Sequence, residues 1–307
     1  ERIYQLLHRE FLQGEYVGSC TELDRAFDDG DFNCVTATIL YHSLCEQHSL
    51  TPVAVATNTH VRTRFLDSPV FDVETTCPDW FDVVRKDRSV VTFRAAQRSV
   101  RELTDCELLA KIYYNRAVSL LEREEFEQAI ALLRISQRLD PNDGPTDDNL
   151  AAGLNNWALA ECRAGRFAIA SARIREATKN YPSFPPSLSN EIHIHQRWAV
   201  ALCSQKKFAE ALATLQEAYD RRPDVELFDH GRLRVFAQWT AWLLESGQWA
   251  RATQLFGDMR DRMGDDTQLV RYQSSAFQVA VQRLLDAGRE RDATALHRWR
   301  TEMNTAS

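Results

Sequence analysis

Four stretches in the second part of the chain decide its fold: EEFEQAIALL (residues 124–133), GRFAIASARI (165–174), KKFAEALATL (206–215) and GQWARATQLF (247–256). Each stretch carries an aromatic residue that is followed, three positions later, by an alanine. The alanines lie 41 residues apart, and GRERDATAL (288–296) adds a fifth member to their column: Ala129, Ala170, Ala211, Ala252 and Ala293. A fixed period of this length is the sequence signature of a repeat protein.

Three further columns keep the same step of 41 residues. One is Pro141, Pro182 and Pro223, with Gly264 in the fourth unit; the others are Ala117, Ala158, Ala199, Thr240 and Val281, and Trp157, Trp198 and Trp239. The apolar residues within a unit recur at helical spacing, and turns such as RAGR (163–166) and SQKK (204–207) divide each unit. We therefore expect about five pairs of antiparallel helices, with a proline stopping the second helix of each pair.

The arrangement of these columns resembles the tetratricopeptide repeat, which has small residues in its first helix and an aromatic residue, an alanine and a terminal proline in its second. The usual period of that repeat is about 34 residues, so the additional residues here are expected to lengthen the first helix or the loop between units. The resemblance covers residues 105–303 and implies an all-α superhelix whose concave face binds a protein or peptide partner. An array that scaffolds or dimerises is the alternative.

Composition limits the classes of function. The chain has 307 residues, 44% of them hydrophobic, 26% charged, and a net charge of −7, which is typical of a soluble globular protein with about two domains. The negative charge argues against a nucleic-acid partner. A run of about 18 apolar residues, as a membrane span requires, does not occur in the sequence. Because the chain begins at Glu1 without a methionine, we expect a piece of a longer protein.

The cysteines predict a reducing compartment. There are seven, scattered and without a C-x-x-C pair: Cys20, Cys34, Cys45, Cys77, Cys106, Cys162 and Cys203. This pattern favours free thiols in a cytoplasmic location and argues against a zinc knuckle or a thioredoxin-like motif. His193 and His195 lie two positions apart on a predicted helix and point in different directions. With no acidic cluster at calcium-loop spacing, we expect neither a metal nor a cofactor.

The first hundred residues lack the 41-residue period and predict an α+β domain. Residues 1–16 are an amphipathic helix, a short helix begins near Thr21, and a third helix runs from Cys34 to about His48. Residues 51–66 alternate in hydrophobicity, as one strand or a bent pair of strands would, and 70–76 and 89–93 are further candidate strands. We predict one domain over residues 1–100 and a short charged linker before the array.

Three residues of this region form a candidate catalytic set. Cys34 stands at the start of a helix, where the helix dipole favours a thiolate. His60 is placed on the next strand, where an imidazole can take the thiol proton, and Asp72 on the strand after it, where a carboxylate can fix the imidazole tautomer. Taken singly, each also has a structural explanation: a buried thiol, a strand histidine and an edge carboxylate. Cys77 is a weaker rival nucleophile.

This order of elements resembles the transglutaminase-like superfamily, which has a papain-like α+β core. The residues that carry the resemblance are GDFNCVTATILYHSLCEQHSL (30–50), ATNTHVRTRF (56–65) and VFDVETTCPDWFDV (70–83). It implies Cys34 as nucleophile, His60 as general base and acid, and Asp72 as the orienting carboxylate. The compact spacing is closer to small bacterial members than to the calcium-dependent animal enzymes.

The two resemblances together imply a cysteine-dependent acyl-transfer enzyme with a partner-binding array. Hydrolysis of a peptide or amide through a thioester is favoured here, and crosslinking to an amine stays open. The oxyanion donors are expected to be the Cys34 backbone N–H and a side chain from residues 16–21. The alternatives are an inactive protein–protein interaction scaffold, and an array that packs over the Cys34 cleft and inhibits it.

Overall fold

The computed structural model describes residues 1–57, 60–79, 81, 101–263 and 267–305. These residues form two compact units, one of Glu1–Trp157 with Lys179–Phe184, the other of Ala158–Thr178 with Pro185–Ser307. The predicted division of the chain between residues 100 and 105 lies inside the first unit and stays a prediction.

The α/β region comprises three helices and a four-stranded sheet. The helices are α1 (Arg2–Glu10), α2 (Asp24–Asp28) and α3 (Cys34–Gln47), and the strands are β1 (Val53–Ala56), β2 (Val61–Phe65), β3 (Phe71–Val73) and β4 (Arg101–Leu103). The sheet order is β3-β2-β1-β4 with antiparallel neighbours. Residues 51–66 are thus a pair of strands. The predicted strand at 89–93 lies outside the described residues, and β4 was not predicted.

Helix α3 is the centre of this region, because it is covered on most of its sides. Tyr4 and Leu7 of α1 belong to one apolar cluster with Tyr41 of α3 and with Phe65 and Val73 of the sheet. Hydrogen bonds between polar side chains support the same packing: the Thr38 and Thr75 hydroxyls lie 3.0 Å apart, and His42 Nε2 lies 3.1 Å from the Thr63 hydroxyl. The middle turns of α3 are thereby held against the residues of β2 and of the segment after β3.

The first helix of the repeats, α4 (Asp105–Glu122), also packs on α3. Leu108 and Ile112 lie in one buried cluster with Cys34, Val35 and Val61. At the other end of this contact, the α4 guanidinium of Arg116 donates to the Thr21 hydroxyl over 3.1 Å. The α/β region and the first repeat therefore share a core.

Five helix pairs follow one another along the rest of the chain, and the predicted helical repeat is confirmed. After α4 come α5 (Phe126–Leu139), α6 (Gly144–Arg163), α7 (Phe167–Asn180), α8 (Pro186–Ser204), α9 (Phe208–Arg221), α10 (Glu226–Glu245), α11 (Trp249–Met263), α12 (Thr267–Asp286) and α13 (Glu290–Thr305). The second helices all begin 41 residues apart. The first helices have 18 to 20 residues, so the long period includes a lengthened first helix.

Local physics explains why the columns recur. The turn inside each pair has one residue with positive φ, at the equivalent positions Glu124, Gly165, Lys206, Gly247 and Gly288. The column of alanines that begins with Ala129 is buried, at 0–3% exposure, because a larger side chain would not fit between neighbouring helices. Among the described residues, we find no helix whose length and apolar content would let it cross a bilayer. Gly264, which takes the place of the terminal proline in the fourth unit of the sequence, lies outside the described residues.

Candidate active site

Cys34 is the first residue of α3, and the loop before it is built to start a helix there. The Asn33 side chain accepts hydrogen bonds from the N–H groups of Val35 and Thr36, both at 2.9 Å. In return the Thr36 hydroxyl accepts from the Asn33 N–H at 2.8 Å, which completes a capping box. The thiol therefore stands at the positive end of the helix dipole, and Cys34 is 7% exposed.

His60 directly precedes β2 rather than lying within a strand. Its carbonyl accepts from the Thr57 N–H at 2.8 Å, which closes the connection between β1 and β2. The imidazole lies within hydrogen-bonding reach of the Cys34 thiol. On its other side, Nε2 lies 2.7 Å from a carboxylate oxygen of Glu74, so Nδ1 is the ring nitrogen left for the thiol.

The carboxylate on His60 is Glu74, and this corrects the predicted role of Asp72. Asp72 is buried between two guanidinium groups: Arg62 Nη2 lies 2.8 Å from it, and Arg64 Nε lies 2.6 Å from it. Those ion pairs occupy the carboxylate of Asp72, whose partners on β2 are arginines and not the histidine. The structure brings together Cys34, His60 and Glu74, with Asp72 two residues before.

The register of the β2–β3 hairpin gives the physical reason. Arg64 is paired directly with Asp72, so the same register carried back along the strands places the position of His60 beyond Asp72 and near Glu74. Asp72 and Glu74 point to the same face because the side chains of a strand alternate. Both use diagonal contacts across the hairpin, Asp72 with Arg62 and Glu74 with His60. Counting along this register places Thr76 opposite His60, so Glu74 is one diagonal step from His60 and Asp72 is farther along the strand.

Glu74 is held in place by hydrogen bonds other than the one to His60. Its second carboxylate oxygen accepts from the Thr76 N–H at 3.1 Å and from the Thr76 hydroxyl at 2.5 Å. Its backbone carbonyl accepts from the Tyr4 hydroxyl at 2.9 Å, which joins the end of β3 to α1. The orientation of the Glu74 carboxylate therefore depends on hydrogen bonds with Thr76 and Tyr4, which the sequence around Glu74 does not indicate.

The charges of the three groups support one another. Burial acts to raise the pKa of Cys34, but hydrogen bonds from His60, Val61 and Tyr16 and the charge of His60 hold this pKa below its ordinary value. Burial acts to lower the pKa of His60, but its contacts with Cys34 and Glu74 raise it to about 10. Burial likewise opposes ionisation of Glu74, yet the contact with His60 lowers the pKa of this carboxyl. Compared with the free groups, the site therefore favours the thiolate form of Cys34 and the imidazolium form of His60.

Tyr16 is a further residue of the site, and the sequence prediction included it only within a loop of candidate donors. Its hydroxyl lies within hydrogen-bonding reach of both the thiol and the backbone N–H of Cys34. Burial, the charge of Cys34 and the contact with its thiol raise the pKa of Tyr16 to about 12, so the phenol stays protonated near neutral pH. The signal that could have found it is the pairing of residues 14–17 with 30–32, which precede the cysteine.

The other candidate residues lie in structural settings. Cys77 is half-buried just past β3, and its carbonyl accepts from the Tyr4 hydroxyl. His195 is buried on α8, where Nδ1 lies 2.8 Å from the Glu191 carbonyl and Nε2 lies 3.2 Å from the Ser171 hydroxyl. His193, two residues before, is exposed. In the part of the chain that the structure describes, no group of three His, Cys, Asp or Glu side chains could hold a metal ion.

Comparison with known proteins finds similar solved structures for the helical part. They include the tetratricopeptide-repeat domain of P58(IPK), 18% identical with a TM-score of 0.24, over 64% of this chain and 50% of that one. A second is YrrB, described as a TPR protein with an unusual peptide-binding site; it is 15% identical with a TM-score of 0.23, over 67% of this chain and 89% of that one. A third is pilF of Pseudomonas aeruginosa, 14% identical with a TM-score of 0.23, over 66% of this chain and 96% of that one. This chain therefore spans half of the P58(IPK) chain.

At these scores the likeness carries no argument about this chain, and the assignment of helical repeats depends on its own helix bounds and residue columns. No protein-family model matches the chain. No curated protein matches it either. None of the three named structures is described as a transglutaminase-like or papain-like protein, so that assignment of residues 1–100 stays a prediction.

Proposed function

We propose that the chain is a cysteine-dependent acyl-transfer enzyme with a transglutaminase-like α+β region. Cys34 is the nucleophile, His60 the general base and acid, and Glu74, in the place first predicted for Asp72, the carboxylate that orients His60. The single observation that carries the proposal is that the Cys34 thiol, at the start of a capped helix, lies against the His60 imidazole, whose Nε2 is 2.7 Å from the Glu74 carboxylate. A buried thiol without a function needs no such partners.

The reaction follows from the protonation states. The Cys34 thiolate attacks the carbonyl carbon of a peptide or side-chain amide, and the π electrons move to the oxygen. When the carbonyl re-forms, the C–N bond breaks and the His60 imidazolium gives its proton to the leaving amine. A thioester on Cys34 remains. Water then attacks it while His60 takes the water proton, and the acid product leaves as Cys34 is regenerated.

Hydrolysis is the outcome we favour over crosslinking. In a crosslinking reaction an amine would take the place of water at the thioester. The half-exposed His60, with 32% of its side chain accessible, leaves the thioester open to water. We extend the proposal to the repeats, which would bind a protein or peptide substrate on their predicted concave face.

A second candidate function is a non-catalytic interaction scaffold, and the tetratricopeptide likeness of the repeats fits it better than it fits an acyl-transfer enzyme. A cavity of about 530 Å³ lies among α9, α10 and α11, with Leu212, Trp239 and Met259 among its apolar lining residues. Its wall carries charges of both signs: Glu217, Asp220 and Asp258 are acidic, and Arg232 and Arg262 are basic. YrrB is described as having a peptide-binding site, and a peptide is the ligand that this groove would accept.

The test that separates the two functions is the rate at which iodoacetamide alkylates Cys34 as pH is varied. Peptide mass spectrometry follows Cys34, with the buried Cys162 and Cys203 as references in the same chain. We expect the rate to rise with a midpoint well below the ordinary thiol value of about 8.5. His60→Ala removes the positive charge that counteracts the effect of burial on the pKa of Cys34. The midpoint of the alkylation rate should therefore move above 8.5, and the rate at pH 7 should fall about 100-fold.

Glu74→Gln and Asp72→Asn are the matched pair of variants. Glu74→Gln weakens the imidazolium, so the Cys34 midpoint should rise by about one pKa unit, a tenfold loss of thiolate below the midpoint. Asp72→Asn should leave the midpoint of the folded protein in place. A Cys34 that titrates like an ordinary thiol in the unmodified chain contradicts the enzyme proposal and favours the scaffold.

A further inference from the structure

A short extended segment, residues 14–18, lies along the residues that lead into α3. The Val17 N–H donates to the Phe32 carbonyl at 2.8 Å, and the Phe32 N–H donates to the Glu15 carbonyl at 3.2 Å. The Gly14 N–H donates to the Gly30 carbonyl at 3.0 Å. These bonds hold the segment beside the start of the helix as a strand would be held.

The two segments of the backbone approach so closely that glycine is required at positions 14 and 30. A Cβ on Gly14 would stand 2.7 Å from the Asp29 carbonyl oxygen, closer than any side chain is found. Gly30 has φ +77°, and a Cβ there would stand 2.6 Å from the Gly14 nitrogen. The Asn33 amide, which caps α3 with its oxygen, donates through its nitrogen to the Gly18 carbonyl at 3.2 Å. The segment and the helix cap are therefore one rigid piece.

This piece places the Tyr16 hydroxyl at the nucleophile. The Tyr16 ring packs edge-on against Phe32, with the ring centroids 6.1 Å apart, and its hydroxyl lies within hydrogen-bonding reach of the Cys34 sulfur. Tyr16 is 52% exposed whereas Cys34 is 7% exposed. The phenol therefore reaches the thiol from the side that is open to solvent, which is the side from which a substrate must arrive.

We propose that the Tyr16 hydroxyl is a catalytic donor that transfers its hydrogen bond from the Cys34 sulfur to the oxyanion when the tetrahedral intermediate forms. The inference rests on the acyl-transfer function proposed above. During attack, negative charge leaves the sulfur and appears on an oxygen bonded to the same carbon. A donor already on the sulfur needs a small rotation to reach that oxygen, and donors aimed at developing charge are the largest source of stabilisation in such sites.

The second donor is the Cys34 backbone N–H. The first four N–H groups of a helix have no partner within the helix, and Asn33 satisfies those of Val35 and Thr36. The Cys34 N–H lies at the same helix end, within hydrogen-bonding reach of the Tyr16 hydroxyl. Tyr16 and Cys34 then supply one side-chain and one backbone donor, which is the number that acyl-transfer sites commonly use.

The test compares two reactions of the 307-residue chain and its Tyr16→Phe variant, which keeps the ring on Phe32. Iodoacetamide alkylates a thiolate by displacement at a saturated carbon, with no oxyanion. p-Nitrophenyl acetate acylates it through a tetrahedral intermediate, and the p-nitrophenolate burst reports that step. Rates are compared at the pH-independent plateau, where the thiol is fully ionised. We expect acylation to fall about 100-fold and alkylation to stay within about threefold.

Tyr114→Phe is the control for losing a phenol hydroxyl elsewhere. Its hydroxyl accepts from Asn149 at 2.8 Å on the first repeats, and both rates should be unchanged. An equal loss of alkylation and acylation in Tyr16→Phe, or no loss of acylation, overturns the oxyanion role while leaving the acyl-transfer proposal intact. Failure of both reagents to label Cys34 preferentially in the unmodified chain overturns the acyl-transfer proposal and this inference together.

Discussion

The α/β region and the helical repeats differ in how many times each stabilising contact occurs along the chain. In the repeats, the same buried alanine and the same positive-φ turn residue return every 41 residues. In the α/β region, contacts such as Thr38 with Thr75 and Tyr4 with Glu74 occur once and join residues far apart in sequence. Single substitutions should therefore do more damage in the α/β region than in the repeats, where each contact affects its neighbours alone.

The largest expected loss of stability is at Asp72. Asp72→Asn removes the negative charge that lies 2.8 Å from the buried guanidinium of Arg62, whose side chain is 7% exposed. Breaking such a buried pair costs about 3–5 kcal/mol, measured as the free energy of unfolding in urea. Glu74→Gln is the matched control, and it should cost less because its partner His60 is half-buried. Equal losses would show that the two carboxylates do not divide into a structural one and a site one.

A smaller loss is expected in the repeats at Ala170. The residue is fully buried on α7, and Ala170→Leu would force extra volume between neighbouring helices. Overpacking of this kind costs about 1–3 kcal/mol, measured by urea unfolding of the second compact unit. Ala172→Leu on the exposed side of the same helix should change stability by less than about 0.5 kcal/mol. A loss at Ala170 as large as that at Asp72 would break the contrast between the regions.

The smallest effect should be a gain. Lys206 has φ +63° in the turn before α9, where three equivalent turns have glycine. Lys206→Gly removes the left-handed strain of a side chain and loses part of that gain to the greater freedom of glycine when unfolded, for a net stabilisation of about 0.5–1 kcal/mol. Gly165→Lys at the equivalent position should shift the melting temperature in the opposite direction. The same sign for both would mean that the turns are not equivalent.

The same contrast explains what the sequence could predict. Columns such as Phe126, Phe167 and Phe208 predicted where the second helices begin, because repetition filters out accidental patterns. The helix that starts at Cys34 was predicted from its polar turn and apolar spacing, and Asn33 supplies the cap. Local signals of these kinds need no knowledge of distant residues.

The remainder depended on pairing between distant segments. Asp72 and Glu74 share a face of one strand, so residue order could not choose between them, while the hairpin register and the arginines opposite Asp72 could. β4 is three residues long and pairs with β1 across more than forty residues, which leaves no local signal. The core shared by α3 and α4 was invisible for the same reason, since both helices look complete in isolation.

That shared core limits how the chain can be recombined. A chimera joined after residue 100 would strip Leu108 and Ile112 from the cluster that surrounds Cys34, and it would part β4 from its pairing partner β1. A transplant that keeps α4 and α5 carries the nucleophile's surroundings with it. Exchange of repeats for new partner specificity is therefore least disruptive beyond the first helix pair.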